Sequence, residues 1–246
     1  MPLPLKDRLI ALLVPSAPYY RRRIADEAEW GEHELSVLGE IVRKGGTAVD
    51  VGANQGFFAF ALAAIADRVE AFEPNPDYAR FARRMLGSRA RVHAVALSNH
   101  NGRQQFSVPM SDEGVALHLG GALKGAGSGT LKATRFEVEV RTLDSYGFSD
   151  VRVIKVDVEG SEMDVLEGAR ATIRRDRPAL IVELLTGAHA DPAAVTEAIS
   201  ATYGYAPWLV TKDGARVEAL PAIRALGSNT TWGSPIRNRN VLFLSP

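Results

Sequence analysis

Four acids close short apolar runs in this chain: Asp50, Glu73, Asp157 and Glu183. Between the first two, Gly52-Ala53-Asn54-Gln55-Gly56 makes a glycine turn, after Thr47-Ala48-Val49 and before the apolar stretch from Phe57 to Ile65. Glu73 ends the next apolar run, Val69 to Phe72, and lies 23 residues after Asp50. A strand, a tight turn, a helix and a second strand tipped by a carboxylate hold an adenosine: backbone at the turn, the acid on the ribose diol. A dinucleotide needs G-x-G-x-x-G, so that a helix N-terminus meets a pyrophosphate. The spacing here is G-x-N-x-G with Phe57 next, and nothing nearby is dedicated to phosphate. Two acids around such a turn suit a ligand with an ammonium, a carboxylate and a ribose, which is S-adenosylmethionine. In these two segments its expected contacts are Asp50, Gly52, Ala53, Asn54, Gly56, Glu73 and Asn75.

One carboxylate at a strand tip is ordinary. Four at successive tips each need water, a cation or a hydroxyl. A sulfonium cofactor and a hydroxylated acceptor meet that need. Methyl transfer is an in-line displacement by oxygen on carbon, so the protein must align the partners and help an alcohol lose its proton. Asp157, Glu159, Glu183 and His189 are the candidates for that work. Each has a competing structural role: Glu159 as a helix cap, Glu183 in an ion pair, His189 in a surface loop. His93, inside a strand, reads as a core or edge histidine. Asp157, Glu159 and Glu183 also offer three oxygens to a divalent ion. No His/Asp spacing demands one, and no metal is expected.

The elements that must position these residues alternate between strand and helix. Leu35, Val37, Leu38, Ile41 and Val42 recur at helical spacing over residues 32–42, and Gly45-Gly46 stops that helix. Residues 47–51 and 69–72 are strands around a helix over 57–66, and Asn75-Pro76 caps the next helix. Residues 91–97 predict a third strand, 151–156 a fourth and 178–185 a fifth. Ser161 opens a helix with Met163, Val165, Leu166 and Ile173 inward. Phe136, Val138 and Val140 alternate with polar residues, a half-buried strand that pairs with residues 105–108. The Gly-rich segment Ser111 to Thr130 between them reads as a mobile loop or lid. Lys212-Asp213-Gly214 signals a hairpin, with a strand over 216–220 after it. The expected fold is α/β: a doubly wound, mainly parallel sheet with helices on both faces. Residues 1–31 form a helical extension and 32–246 the cofactor domain, with 98–150 inserted as a β-hairpin and its Gly-rich loop.

Lys+Arg and Asp+Glu both number 29, so no global field recruits nucleic acid. The absence of Cys excludes disulfides, thiolate zinc sites and a thiol nucleophile. The apolar run Leu9 to Val14 is too short to span a bilayer and lacks a cleavage pattern. It reads as a short amphipathic helix packed on the domain of a cytoplasmic protein without stable membrane insertion. Arg21-Arg22-Arg23, the densest basic run, reads as a solvated helix face rather than a contact with lipid or an anionic substrate.

Six blocks resemble the FkbM family of S-adenosylmethionine-dependent methyltransferases, in family order and spacing. They are residues 49–56, 71–76, Ala94-Val-Ala-Leu-Ser98, Thr142-Leu-Asp144, Ile154-Lys-Val-Asp-Val-Glu-Gly160 and Arg177-Pro-Ala-Leu-Ile-Val-Glu183. The resemblance covers roughly residues 32–186 and implies a class I methyltransferase (Rossmann-like) fold. It implies O-methylation of a small-molecule, glycan or carrier-bound acceptor, often a sugar or natural-product hydroxyl. By it, Asp50, Gly52, Asn54 and Gly56 surround the methionine part, Glu73 takes the ribose, and Ala96 and Leu97 wall the adenine. Asp157 stands beside the methyl group. The rival is a non-catalytic cofactor- or partner-binding module of the same fold. A decayed site has no reason to keep Asp50, Glu73 and Asp157.

Overall fold

The computed structural model describes residues 4–109, 123, 133–184, 191–226 and 240–246. Its strands in chain order are β1 (Thr47–Val51), β2 (Arg68–Phe72), β3 (Arg91–His93), β4 (Ala96–Leu97), β5 (Gly102–Pro109) and β6 (Ala133–Arg141). β7 (Val151–Val156), β8 (Ala179–Glu183), β9 (Ala206–Val210), β10 (Arg216–Glu218) and β11 (Asn240–Leu244) complete them. The main sheet runs β10-β9-β11-β8-β7-β1-β2-β3, and β4-β6-β5 form a smaller one. β3, β2, β1, β7 and β8 pair parallel, while β11 lies antiparallel between β8 and β9. The chain leaves β1 towards β2 on one side and later fills β7 on the other. That reversal opens a crevice beyond the carboxyl ends of the strands, where ligands bind in open α/β sheets.

Every residue of β1 and β8 is buried, as a strand covered on both faces requires. Side chains alternate between the faces. Val49, Val51, Ile154, Val156, Leu180 and Val182 pack with Leu166 and Ile173 on one side. Ala48, Val153, Ile181 and Leu242 pack with Tyr20, Leu38, Phe58 and Leu62 on the other. The same alternation puts Asp50, Lys155, Glu183 and Asn240 on this second face, under the N-terminal helices.

Five expected elements differ in detail, the first being the helix over 57–66, which ends at Leu62. Residues 32–42 break into a 3-10 turn, His33–Ser36, and a short helix, Leu38–Ile41. Ser36 donates to the His33 carbonyl at 2.7 Å, and Glu32 and Glu34 turn inward instead of outward. The third strand divides: β3 stays beside β2, whereas β4 leaves to pair with β6, where Ala96 shares a small core with Phe106 and Val140. Met163 is 37% exposed, not inward. Its helix, Glu162–Gly168, stops before a second one, Arg170–Asp176. Gly168 abuts the Ser98 carbonyl so closely that a Cβ would lie 2.0 Å from it. The strand over 216–220 ends at Glu218, where a helix, Ala219–Leu226, begins.

β5 and β6 pair antiparallel with Phe106 opposite Phe136, and β9 pairs with β10 around the 212–214 turn. Ser111 to Thr130, apart from Leu123, lies outside the described residues, as does His189. Among the described residues no helix is long and apolar enough to cross a membrane.

Candidate cofactor and methyl-transfer site

The turn after β1 is built around two left-handed glycines. Gly52 has φ +83°, and a Cβ there would lie 1.8 Å from the Asp157 carbonyl, so glycine alone lets the β1 and β7 tips close together. The Gly52 and Ala53 N–H groups both donate to the Phe72 carbonyl at 2.9 Å, which ties the turn to the end of β2. Asn54, also left-handed at φ +48°, presents its N–H to Glu73 Oε2 at 2.8 Å. Asn75 N–H donates to Glu73 Oε1 at 2.8 Å, and its side chain caps the helix Pro76–Leu86 by accepting from Asp77 N–H. Each Glu73 oxygen keeps a further acceptor position. Burial raises the Glu73 carboxyl to about 7, against the pull of the Asn75 and Asn54 N–H groups.

Asp50 stands opposite Lys155 in the β1–β7 register. It is 1% exposed, and its Oδ2 has no hydrogen-bond partner. Burial raises it to about 7; the Lys155 ammonium opposes the rise and the Asp157 charge adds to it. Lys155, 2% exposed, donates to Asn240 Oδ1 at 2.9 Å and lies 5.4 Å from the Phe58 ring centre. Asn240 in turn donates to Glu32 and Glu34. Burial and then Glu32 push Glu34 up to about 8. For Lys155 burial favours the neutral amine, but Asp157, Glu32, Glu183 and Glu34 outweigh it and hold the ammonium charged.

Asp157 follows β7 and reaches the same wall, with its Oδ2 3.6 Å from Lys155 Nζ. Burial first, then the Asp157 charge and a hydrogen bond to Asp157, push Glu183 well above the carboxylate range. These influences favour the protonated form of Glu183, which is hydrogen-bonded to Asp157. Glu159 completes the group from a left-handed position, φ +53°. One oxygen from each of Asp157, Glu159 and Glu183 lies within 4.8 Å of the others, a spacing open to a divalent ion. Glu162, the first residue of the helix that follows, accepts from Gly160 N–H at 3.0 Å, and the helix N-cap, Ser161, makes no side-chain cap bond.

A cavity of about 580 Å³ joins these groups. Asp50, Gly52, Ala53, Asn54, Glu73, Asn75, Ala96, Leu97, Asp157, Glu159 and Glu183 all line it. Gly56, expected there, does not. It packs against Leu86 and the Tyr20 hydroxyl instead, and Tyr20 donates to the Gln55 carbonyl at 2.6 Å. Lys155, Arg23 and Glu27 line the cavity too, and none of the three is among the expected site residues. His93 stacks on Phe72 with ring centres 4.6 Å apart and pairs with Glu70, a structural role.

Residues 50–205 match the methyltransferase FkbM domain family. The chain belongs to that family. The 2-O-methyltransferase NoeI of Sinorhizobium fredii (strain NBRC 101917 / NGR234) is 30% identical over 145 residues, 52% of this chain and 59% of NoeI. The crystal structure of methyltransferase FkbM from Methylobacillus flagellatus KT is 19% identical, with a TM-score of 0.53 over 87% of this chain and 48% of that one. That likeness concerns the fold, a class I methyltransferase sheet. The chain thus spans 48% to 59% of the length of these two relatives.

S-adenosylmethionine is the cofactor of an FkbM domain such as this one. The donor set fits it. An unpartnered buried carboxylate oxygen is costly until a donor arrives, and a methionine ammonium would be such a donor for Asp50. Glu73 has acceptor positions left for ribose hydroxyls, and Phe72, Val95, Ala96 and Leu97 offer an apolar wall to a base. Because Asp50 loses its proton only near pH 7, binding of an ammonium must displace that proton in acid. Cofactor affinity is expected to fall by about tenfold per pH unit below about 7 and to level off above it. Calorimetric titration across that range measures the slope. Asp50→Asn should weaken binding and flatten the profile, and a flat wild-type profile would remove Asp50 from the ammonium site.

Proposed function

We propose that this FkbM domain is an O-methyltransferase that acts on a hydroxyl of a sugar, glycan or natural-product acceptor. The observation that supports it is the hydrogen-bonded Asp157–Glu183 pair in the wall of the cofactor cavity, with Asp157 Oδ2 3.6 Å from the buried Lys155 ammonium. When bound, S-adenosylmethionine supplies a methyl group on a sulfonium. Asp50 and Glu73 fix the two polar ends of the cofactor. Asp157 accepts a hydrogen bond from the acceptor hydroxyl and takes its proton as the oxygen attacks. Lys155 stands 3.6 Å from Asp157 and offsets negative charge there, and the neighbouring Asp157 charge together with burial favours a proton on Glu183. Glu159, half-buried beside the pair, orients a second hydroxyl, as a polyol acceptor requires. The name of NoeI, a 2-O-methyltransferase, supports oxygen as the nucleophile.

Label transfer tests the reading. With methyl-labelled cofactor and a panel of glycans, hydroxylated natural products, amines and carboxylic acids, label is expected in the hydroxylated acceptors as alkali-stable methyl ethers. Label found only in amines, or only in esters that alkali releases as methanol, would sink it.

A further inference from the structure

The first helix, Leu5–Leu13, has two apolar sides and uses one. Ile10 and Ala11 pack against the core face below. Leu5, Leu9, Leu12 and Leu13 are 68%, 45%, 62% and 75% exposed. At about 100° per residue these four fall on one strip, with Arg8 along one edge and Lys6 along the other. The helix rests on Pro76–Leu86, and the Arg84 guanidinium donates to the Ala11 carbonyl.

The charge near this strip is basic on its own helix and on the helix beneath it: Lys6 and Arg8 edge the leucines, and residues 76–91 carry five arginines and one acid, whereas in the helix Ser16–Trp30 the three arginines are balanced by Asp26, Glu27 and Glu29. Lys6, Arg8, Arg80 and Arg84 are exposed.

We propose that this strip docks the protein peripherally on an anionic lipid bilayer. An apolar helical strip edged by Lys and Arg lies in the plane of a bilayer interface: leucines enter the acyl boundary while the cations stay at the headgroups. Anionic headgroups attract the surrounding arginines, which no neutral apolar partner does. A second copy of the chain fits badly, because joining two such strips brings two basic rims together. Nine residues cannot cross a bilayer, so the contact is interfacial. The supporting helix also carries Tyr78 to the cofactor cavity, and the next helix, Ser16–Trp30, carries Arg23. The bilayer contact therefore lies one helix from the site.

Co-sedimentation with vesicles tests it. The full chain should bind vesicles of two parts phosphatidylcholine to one part phosphatidylglycerol, and phosphatidylcholine vesicles far less. Leu12→Glu with Leu13→Glu should weaken the partition by at least about tenfold. Both positions are exposed, so cofactor affinity and unfolding temperature should not change; that control separates lost docking from lost folding and from any failure of the methyltransferase reading. Lys6→Glu with Arg8→Glu should weaken binding to anionic vesicles alone. No binding to anionic vesicles, binding that survives the double Glu variant, or a dimer in light scattering that this variant dissociates would each overturn the proposal.

Discussion

Asp157→Asn is expected to lower turnover on a hydroxyl acceptor by roughly 10²–10⁴, while cofactor affinity at high pH stays within a few-fold. The substitution keeps the shape of the side chain and removes its charge, so alignment persists and proton removal does not. A second signature separates this role from a structural one. The Asp157 charge raises the carboxyls of Asp50, Glu73 and Glu183. Its removal should therefore shift the pH dependence of cofactor binding to lower pH, in the opposite sense to damage at the site. Single-turnover assays with labelled cofactor and calorimetry across pH measure the two effects. Turnover that survives would pass the proton-removing role to Glu183 or Glu159. A pH profile that stays put would mean that Asp157 does not face Asp50 as the structure has it.

That the groups of the proposed cofactor site meet in one cavity was legible because they are close in sequence. The turn at 52–56 and Glu73 read as one unit, and the backbone bonds from Asn54 and Asn75 to Glu73 show why: both ends of the motif fold onto one carboxylate. Lys155 was not legible. The block Ile154–Gly160 contains it without marking a role for it, and its partner Asn240 lies 85 positions away. Asn240 meets Glu34 across 206 positions. Only the antiparallel return of β11 and the inward 3-10 turn at 33–36 bring these groups together. Helical spacing at 35–42 pointed to a regular helix, because the pattern of leucines and valines says nothing of two glutamates drawn inward by a buried amide. Gly56 failed for a related reason. A left-handed glycine in a binding turn reads as a ligand contact, yet its space is taken by Leu86 and Tyr20, which come from outside the motif.

Lys155→Met should destabilise the fold by about 3–5 kcal/mol at pH 8, the usual cost of leaving buried charges without their partner. Lys155 is the buried cation that faces Asp50, Glu34, Glu183 and Asp157, and methionine fills most of its volume without its charge. The loss should depend on pH, and its sign follows from proton counting. Carboxyls that sit near 7 or 8 in the folded chain bind more protons there than in the unfolded chain, so they make stability fall as pH rises from about 4 to 8. Without the ammonium those carboxyls rise further, and the fall becomes steeper and extends higher. At pH 5 they are neutral in both proteins, and the difference should shrink to a fraction of its value at pH 8. Urea unfolding at the two pH values measures it. A loss of equal size at both would identify a packing defect at β7, and the ammonium would then have no share in holding the charge of the site.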